Sequence, residues 1–215
     1  MDDRFNNIIL KKMTPLKENH IEKASEMCGR AFLYEPFYAA VFPEEKSRYE
    51  KIRSFFRFRI KYGLTYGKVY TSSENIEGIA IWLPMEKPGM PFHQMVKCGG
   101  LMLGFSIGFS SVLRLMEIEK HIAAKHAATI KGLHNHLSPI AVDPEFQGKG
   151  YASQLMKPLL KIFDQEMIAC FLETQSPQNV DIYEHLGFTI SVKSVIPKIN
   201  IQNWAMIRLP HNISS

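Results

Sequence analysis

Apolar residues recur along this chain with two periods, about 3.6 and 2, and the switches between them mark its elements. Ile8 to Met13 is a short strand candidate that Pro15 closes. From His20 to Tyr34 the spacing is helical, with Ile21, Ala24, Met27 and Ala31 on one face. Leu33 to Phe42, LYEPFYAAVF, is broken by Pro36 and reads as an aromatic loop. Such a loop can line a ligand pocket or plug the space under a helix. Glu44 to Tyr62 returns to helical spacing through Ile52, Phe55, Phe56 and Ile60, with acids in the first turn, where the dipole favours them. Its basic residues, Arg53, Arg57 and Arg59 among them, read as a solvated face, and Gly63 and Gly67 flank the loop that follows. Lys68 to Ser72 and Ile76 to Leu83 then pair around Ser73-Glu74-Asn75, with a bulge at Glu77-Gly78 and an end at Trp82-Leu83-Pro84.

The stretch 92–131 is helical in pattern and predicts two helices, split near Gly99-Gly100 or between Gly104 and Gly108. Its uncharged part, Cys98 to Leu113, is shorter than the roughly 18–20 residues that span a bilayer. A packed helix or helix pair is expected there in preference to a membrane-surface contact. His121 and His126 are not four apart, so a zinc-type HExxH pair is absent and solvent-facing histidines are expected.

Downstream, Leu137, Ile140 and Val142 make a buried strand, within which Pro139 marks a bulge or an edge. Asp143-Pro144 ends it, and a helix runs from Gly150 to Gln165 with a bend expected at Pro158. Ile168 to Thr174 is a strand. Ser176 as N-cap and Pro177 at the first helical position open a helix over Asn179 to Leu186, which Gly187 stops. Phe188 to Val195 and Ile201 to Leu209 close the chain as antiparallel strands.

The chemistry concentrates between the strand and the helix that follows it. The first amides of a helix have no partner within it and carry the positive end of its dipole. Gly148 and Gly150 remove side chains from the turn before such an end, and Lys149 adds charge, so the turn suits a phosphate. It is neither a GxxxxGK[ST] loop nor a GxGxxG fingerprint. Gln147-x-x-Gly150-x-Ala152 instead resembles the [R/Q]xxGx[G/A] loop of the GCN5-related N-acetyltransferases (GNAT). Asn179-x-x-x-Tyr183-x-x-x-Gly187-Phe188 is similar to the NxxxYxxxGF motif of the same family, and lies one helix and one strand further on, in the family's order.

The resemblance implies a mixed α/β fold: a mostly antiparallel central sheet, splayed at the cofactor strand, with helices on both faces. It implies acetyl-CoA as cosubstrate, held by Ile140, Ala141 and Val142 along the pantetheine arm and by Gln147, Gly148, Lys149, Gly150, Tyr151, Ala152 and Ser153 at the pyrophosphate, with Asn179 binding the pantetheine or the helix entry and Tyr183 near the thioester sulfur. Tyr183 would protonate the leaving thiolate. Glu173, His136 and His134 are alternatives for the base, as is a water relay. The expected activity is acetyl transfer to the primary amine of a small molecule. A non-catalytic acyl-CoA-binding module and an acetyltransferase of protein or peptide amines are the alternatives.

Composition adds boundaries. The 215 residues suit one domain, 1–215. The resemblance implies that the stretch at about 92–131 is a helical insertion, expected to shape the acceptor pocket. The net charge of +5 suits a polyanionic ligand. Nucleic acid is not expected, because no recognition signature accompanies the basic helix. Cys28, Cys98 and Cys170 are distant and odd in number, which points to reduced thiols in a cytoplasmic protein without a metal site. The N-terminal dozen residues read as no signal peptide, and a homodimer is left open.

Overall fold

One sheet is built from strands β1 (Thr14–Pro15), β2 (Lys68–Thr71), β3 (Gly78–Met85), β4 (His134–Val142), β5 (Ala169–Thr174), β6 (Thr189–Ile196) and β7 (Ile201–Arg208). Their order is β1-β2-β3-β4-β5-β7-β6. The structure, a computed structural model, describes residues 13–211; the strand expected from Ile8 lies outside them except for Met13. All neighbours pair antiparallel but β4 and β5, which run parallel. The mixed, mostly antiparallel sheet is therefore as expected.

Helices α1 (Ile21–Ala31), α2 (Pro36–Val41), α3 (Glu45–Tyr66), α4 (Phe92–Lys97), α5 (Gly100–Ile107) and α6 (Phe109–Thr129) precede β4. Helix α7 (Tyr151–Gln165) follows it, and α8 (Pro177–His185) follows β5. Strand β3 shows how both faces are covered. Ile79, Ile81 and Leu83 join a core with α1 and α3, whereas Ala80 and Trp82 turn to α7, where the Trp82 and Phe163 rings meet at 5.1 Å. A strand buried on both sides reads as a continuous apolar run, as GIAIWL does.

Several expectations change. The Leu33–Phe42 stretch contains a helix, because Pro36 stands at its first turn, where a missing N–H costs nothing. Helix α3 runs to Tyr66, with Gly63 inside it: a Cβ there would lie 2.6 Å from Ile81 Cγ2 and 2.8 Å from Val69 Cγ2. That glycine lets the helix close on the sheet. The 92–131 stretch holds three helices, since the chain breaks at both glycine sites, and α5 and α6 meet at 119°. Among the described residues no single helix is long and apolar enough to cross a membrane. The register between β3 and β4 shifts between Ala80 and Trp82, where β4 carries the extra residue at Ser138-Pro139, so the bulge lies at Pro139, as expected there, and not at Glu77-Gly78; Pro84 stays in register with Asn135. Pro158 lies within α7 without ending it.

Candidate active site

Strands β4 and β5 are paired only from His134–Ala169 to Leu137–Leu172. Beyond Leu137, β4 continues along β3 as far as Val142 and leaves β5. The sheet opens at Ser138-Pro139, and a cavity fills the wedge. Pro139 needs no β5-side acceptor, so a proline is tolerated in the middle of a sheet where the strands part.

The register decides which groups of β4 face the gap. The Asp143 amide donates to the Glu77 carbonyl at 2.8 Å. In an antiparallel ladder alternate residues bond to the partner, so Ala141 also turns to β3 and Ile140 and Val142 turn away from it. The Val142 carbonyl accepts from Gln147 Nε2 at 3.1 Å, which ties the turn to the open side of the strand.

The turn itself is anchored from below. Asp143 is buried; its Oδ2 accepts from Arg30 Nε at 3.0 Å and Nη2 at 2.6 Å, and its Oδ1 accepts from the Glu145 amide at 3.3 Å. Gly148 and Gly150 have φ of +75° and +84°, and nothing lies within 4 Å of the Cβ position at either. Their surroundings are open, as an anion cradle requires. Gly150 is the N-cap of α7 and offers no side chain, so the amides of Tyr151, Ala152 and Ser153 await an outside acceptor. Lys149 does not reach over this end. Its Nζ donates to the Glu145 carbonyl at 3.0 Å and sits 4.9 Å from the Phe146 ring centre.

Asn179 and Tyr183, one turn apart on α8, both line the cavity. Ser176 precedes the helix in extended conformation, but its hydroxyl bonds the Gln178 side chain instead of capping an amide. Tyr183 is buried, packs edge-on to Phe188, and its hydroxyl has no protein hydrogen-bond partner among the described residues. Burial, then the charge of Glu35, pushes its phenol well above the usual range. Such a hydroxyl stays protonated and can donate.

Glu173 lines the same cavity from β5. Burial, then the negative charge of Glu119, raises its carboxyl to about 8, against a weak opposing bond from Asn203 Nδ2 at 3.4 Å. The histidines behave differently. His126 was expected in solvent but is 2% exposed. It stacks on Phe171 with ring centres 3.7 Å apart and meets His134 through Nε2–Nε2 at 2.7 Å. His134 Nδ1 is 2.8 Å from the Gly132 carbonyl, so it must carry the proton, His134 Nε2 accepts, and His126 Nε2–H donates. Burial, then the adjacent His134, brings His126 down to about 3. Burial, then His126 and Arg59, holds His136 well below its ordinary value, and its Nδ1 is buried without a partner. A carboxyl near 8 takes a proton from an ammonium far better than an imidazole this acidic.

Sequence reasoning overlooked Arg59, Glu35 and Glu119, which all line the cavity. Arg59 had a legible signal: it shares the α3 face of Ile52, Phe56, Ile60 and Gly63, all buried. Glu119 had none, because α6 closes the cavity from a distant part of the chain. Among the described residues no group of three His, Cys, Asp or Glu is arranged to hold a metal ion.

The acetyltransferase (GNAT) family model matches residues 105–188. An uncharacterised N-acetyltransferase of Schizosaccharomyces pombe is 35% identical over 81 residues, 37% of this chain and 33% of that protein, so the match spans about a third of the relative's length. Among solved structures, a histone acetyltransferase HPA2 and related acetyltransferase from Corynebacterium glutamicum aligns with a TM-score of 0.63 at 20% identity, covering 95% of this chain and 99% of that one. A putative arylalkylamine N-acetyltransferase 7 from the mosquito Aedes aegypti aligns with a TM-score of 0.64 at 14% identity, over 92% and 86% of the two chains. Both share the fold. The glycine turn and the Asn179–Phe188 helix both lie inside the matched stretch, so the part of the chain that carries the two motifs is similar to the GNAT acetyltransferase family.

Proposed function

We propose that the protein transfers an acetyl group from acetyl-CoA to the primary amine of a small molecule, by direct attack of the amine on the thioester. The observation that carries this reading is a strand freed from its neighbour after Leu137, which leads on to an open glycine turn and leaves a wedge lined by the unpartnered Tyr183. The residues fit the cosubstrate. Open space at Gly148 and Gly150 and the amides of Tyr151, Ala152 and Ser153 suit a diphosphate, and the outward backbone of Ile140 and Val142 suits an amide-bearing arm lying along β4 as an added strand. Acetyl-CoA supplies the activated acyl group.

The chain's own groups handle the protons. Glu173 takes a proton from the acceptor's ammonium, so that the nitrogen has a lone pair. As the new C–N bond forms and the C–S bond breaks, Tyr183 donates its proton to the sulfur and regains one from the amine nitrogen through the cavity. Helices α2 and α6 wall the cavity through Phe37, Tyr38, Leu115 and Ile122, which favours a small acceptor over a protein chain.

Calorimetric titration with acetyl-CoA and thiol release across a panel of small amines test this. Micromolar-range binding with amine-dependent release is expected. Binding without release for any amine returns the protein to an acyl-CoA-binding role, and neither binding nor release ends the proposal.

A further inference from the structure

We propose that the acceptor bears a carboxylate as well as its amine, and that Arg59 holds that carboxylate, so the cavity is a site for an amino acid with an apolar side chain. This rests on the acetyl-transfer reading for the identity of the reaction, and on the cavity alone for the identity of the ligand.

Arg59 is 9% exposed, in the middle of α3. A guanidinium has five N–H donors and a fixed charge. Here Nη2 donates to the Ser138 carbonyl at 3.3 Å and to the Ser138 hydroxyl. Nη1 meets only the Met90 sulfur, at 3.7 Å, and Nε donates to nothing among the described residues. Its neighbours on the helix are placed otherwise: Arg53 and Arg57 pair with Glu22, and Arg53 also with Glu26 and Glu50, at the surface. Among the described residues Arg59 has no carboxylate within ion-pair reach. A cation withdrawn from water without a counter-charge is costly, and a cavity wall is where a ligand can relieve that cost.

Carboxyls line the same cavity: Glu35, Glu119 and Glu173, none of which makes an ion pair among the described residues. The charges of Arg59, Glu35 and Glu119 all act on Tyr38, that of Glu119 also on Glu173, and that of Arg59 also on His136. The cavity is thus walled by both signs, with the guanidinium beside Ser138 and carboxyls that an ammonium can meet. Phe32, Phe37, Phe55 and Phe56 supply aromatic wall to the same space. A ligand with an ammonium, a carboxylate and an apolar body matches all three parts. A diamine leaves Arg59 unmatched, and so does an amine lacking an acid.

The test uses acceptor pairs that differ only in the carboxylate: phenylalanine against phenethylamine, and leucine against isoamylamine, with putrescine as the dication. Thiol release from acetyl-CoA is the readout. The wild-type kcat/KM should favour the acid-bearing member by at least about tenfold. In Arg59→Met that advantage should shrink to within about threefold, with Arg59→Lys intermediate, while the Kd for acetyl-CoA stays unchanged. Equal or better use of phenethylamine or putrescine by the wild type overturns the proposal, and so does a preference that survives in Arg59→Met. A second readout needs no chemistry. N-acetylphenylalanine should stabilise the wild type against heat more than N-acetylphenethylamine does. Equal shifts overturn the Arg59 assignment, whereas unequal shifts without thiol release uphold it and reject acetyl transfer instead.

Discussion

Asp143 and Arg30 join two elements more than a hundred residues apart, with both Nε and Nη2 of the arginine on one carboxylate oxygen. The aspartate is buried while the arginine side chain is half exposed, so the pair matters more for where the turn sits than for overall stability. In Asp143→Ala the Glu145 amide also loses its cap. We expect a cost of about 1–3 kcal/mol in a urea titration and a several-fold weaker Kd for acetyl-CoA by calorimetry.

Gly150 holds φ at +84° with open space around it, so any side chain there is strained although nothing clashes. Gly150→Val should lower stability by about 1–2 kcal/mol. Its branched side chain should also abolish acetyl-CoA binding by filling the cradle. A Kd within twofold of wild type would remove the turn from the cofactor site.

Tyr183→Phe removes a hydroxyl that makes no protein hydrogen bond, so the fold should be unaffected. If the phenol delivers the proton to sulfur, kcat should fall about 100-fold with little change in the KM for acetyl-CoA. Undiminished turnover would end the assignment.

The pH profile follows from Glu173. With the carboxyl raised to about 8, kcat/KM should climb as pH rises through that value, and Glu173→Gln should flatten the climb. Stability should move the opposite way. The unfolded chain releases this proton near the ordinary value of 4.5, before the folded chain does, so the folded state binds more protons between 4.5 and 8 and loses stability as pH rises across that window. Urea midpoints of wild type and Glu173→Gln at pH 5 and pH 9 should therefore differ more at pH 9, in favour of the variant.

Asp164 and Arg208 form a buried two-pronged pair, 2.7 Å on each side, and Asp164 also accepts from the His211 amide at 2.9 Å. Burial alone would raise the aspartate, but the bonds from Arg208 and His211 outweigh it and hold the carboxyl below its ordinary value. Its stabilisation is present above the ordinary aspartate range and is lost as pH falls through the depressed value. Asp164→Ala strands the arginine and should cost about 3–5 kcal/mol, read from the thermal or urea midpoint.

What the sequence made legible was local. The glycine turn, the α8 motif and the β5 strand are each written in a few neighbouring residues, because their conformations depend on missing side chains, caps and alternation. Pro36 misled because a proline can break a helix or begin one, and only the packing of Phe37 and Val41 decides. His126 misled because its partners, Phe171 and His134, reach it through the tertiary fold. Arg59 was set among the surface charges because Arg53 and Arg57 on the same helix are indeed paired at the surface. Charge outweighed periodicity in the reading, although periodicity was right. The position of β7 between β5 and β6 had no local signature at all.

That interleaving has a consequence for how the molecule is made. Strand β5 and the hairpin strand β6 leave the ribosome well before Arg208, yet they do not touch in the finished sheet. Until the final strand emerges to slide between them, β5 presents a bare edge and Glu173 and Tyr183 have no completed wall to face. A chain truncated after Ile196 and released from the ribosome should therefore be open to protease across β5, whereas the chain that includes β7 should resist there.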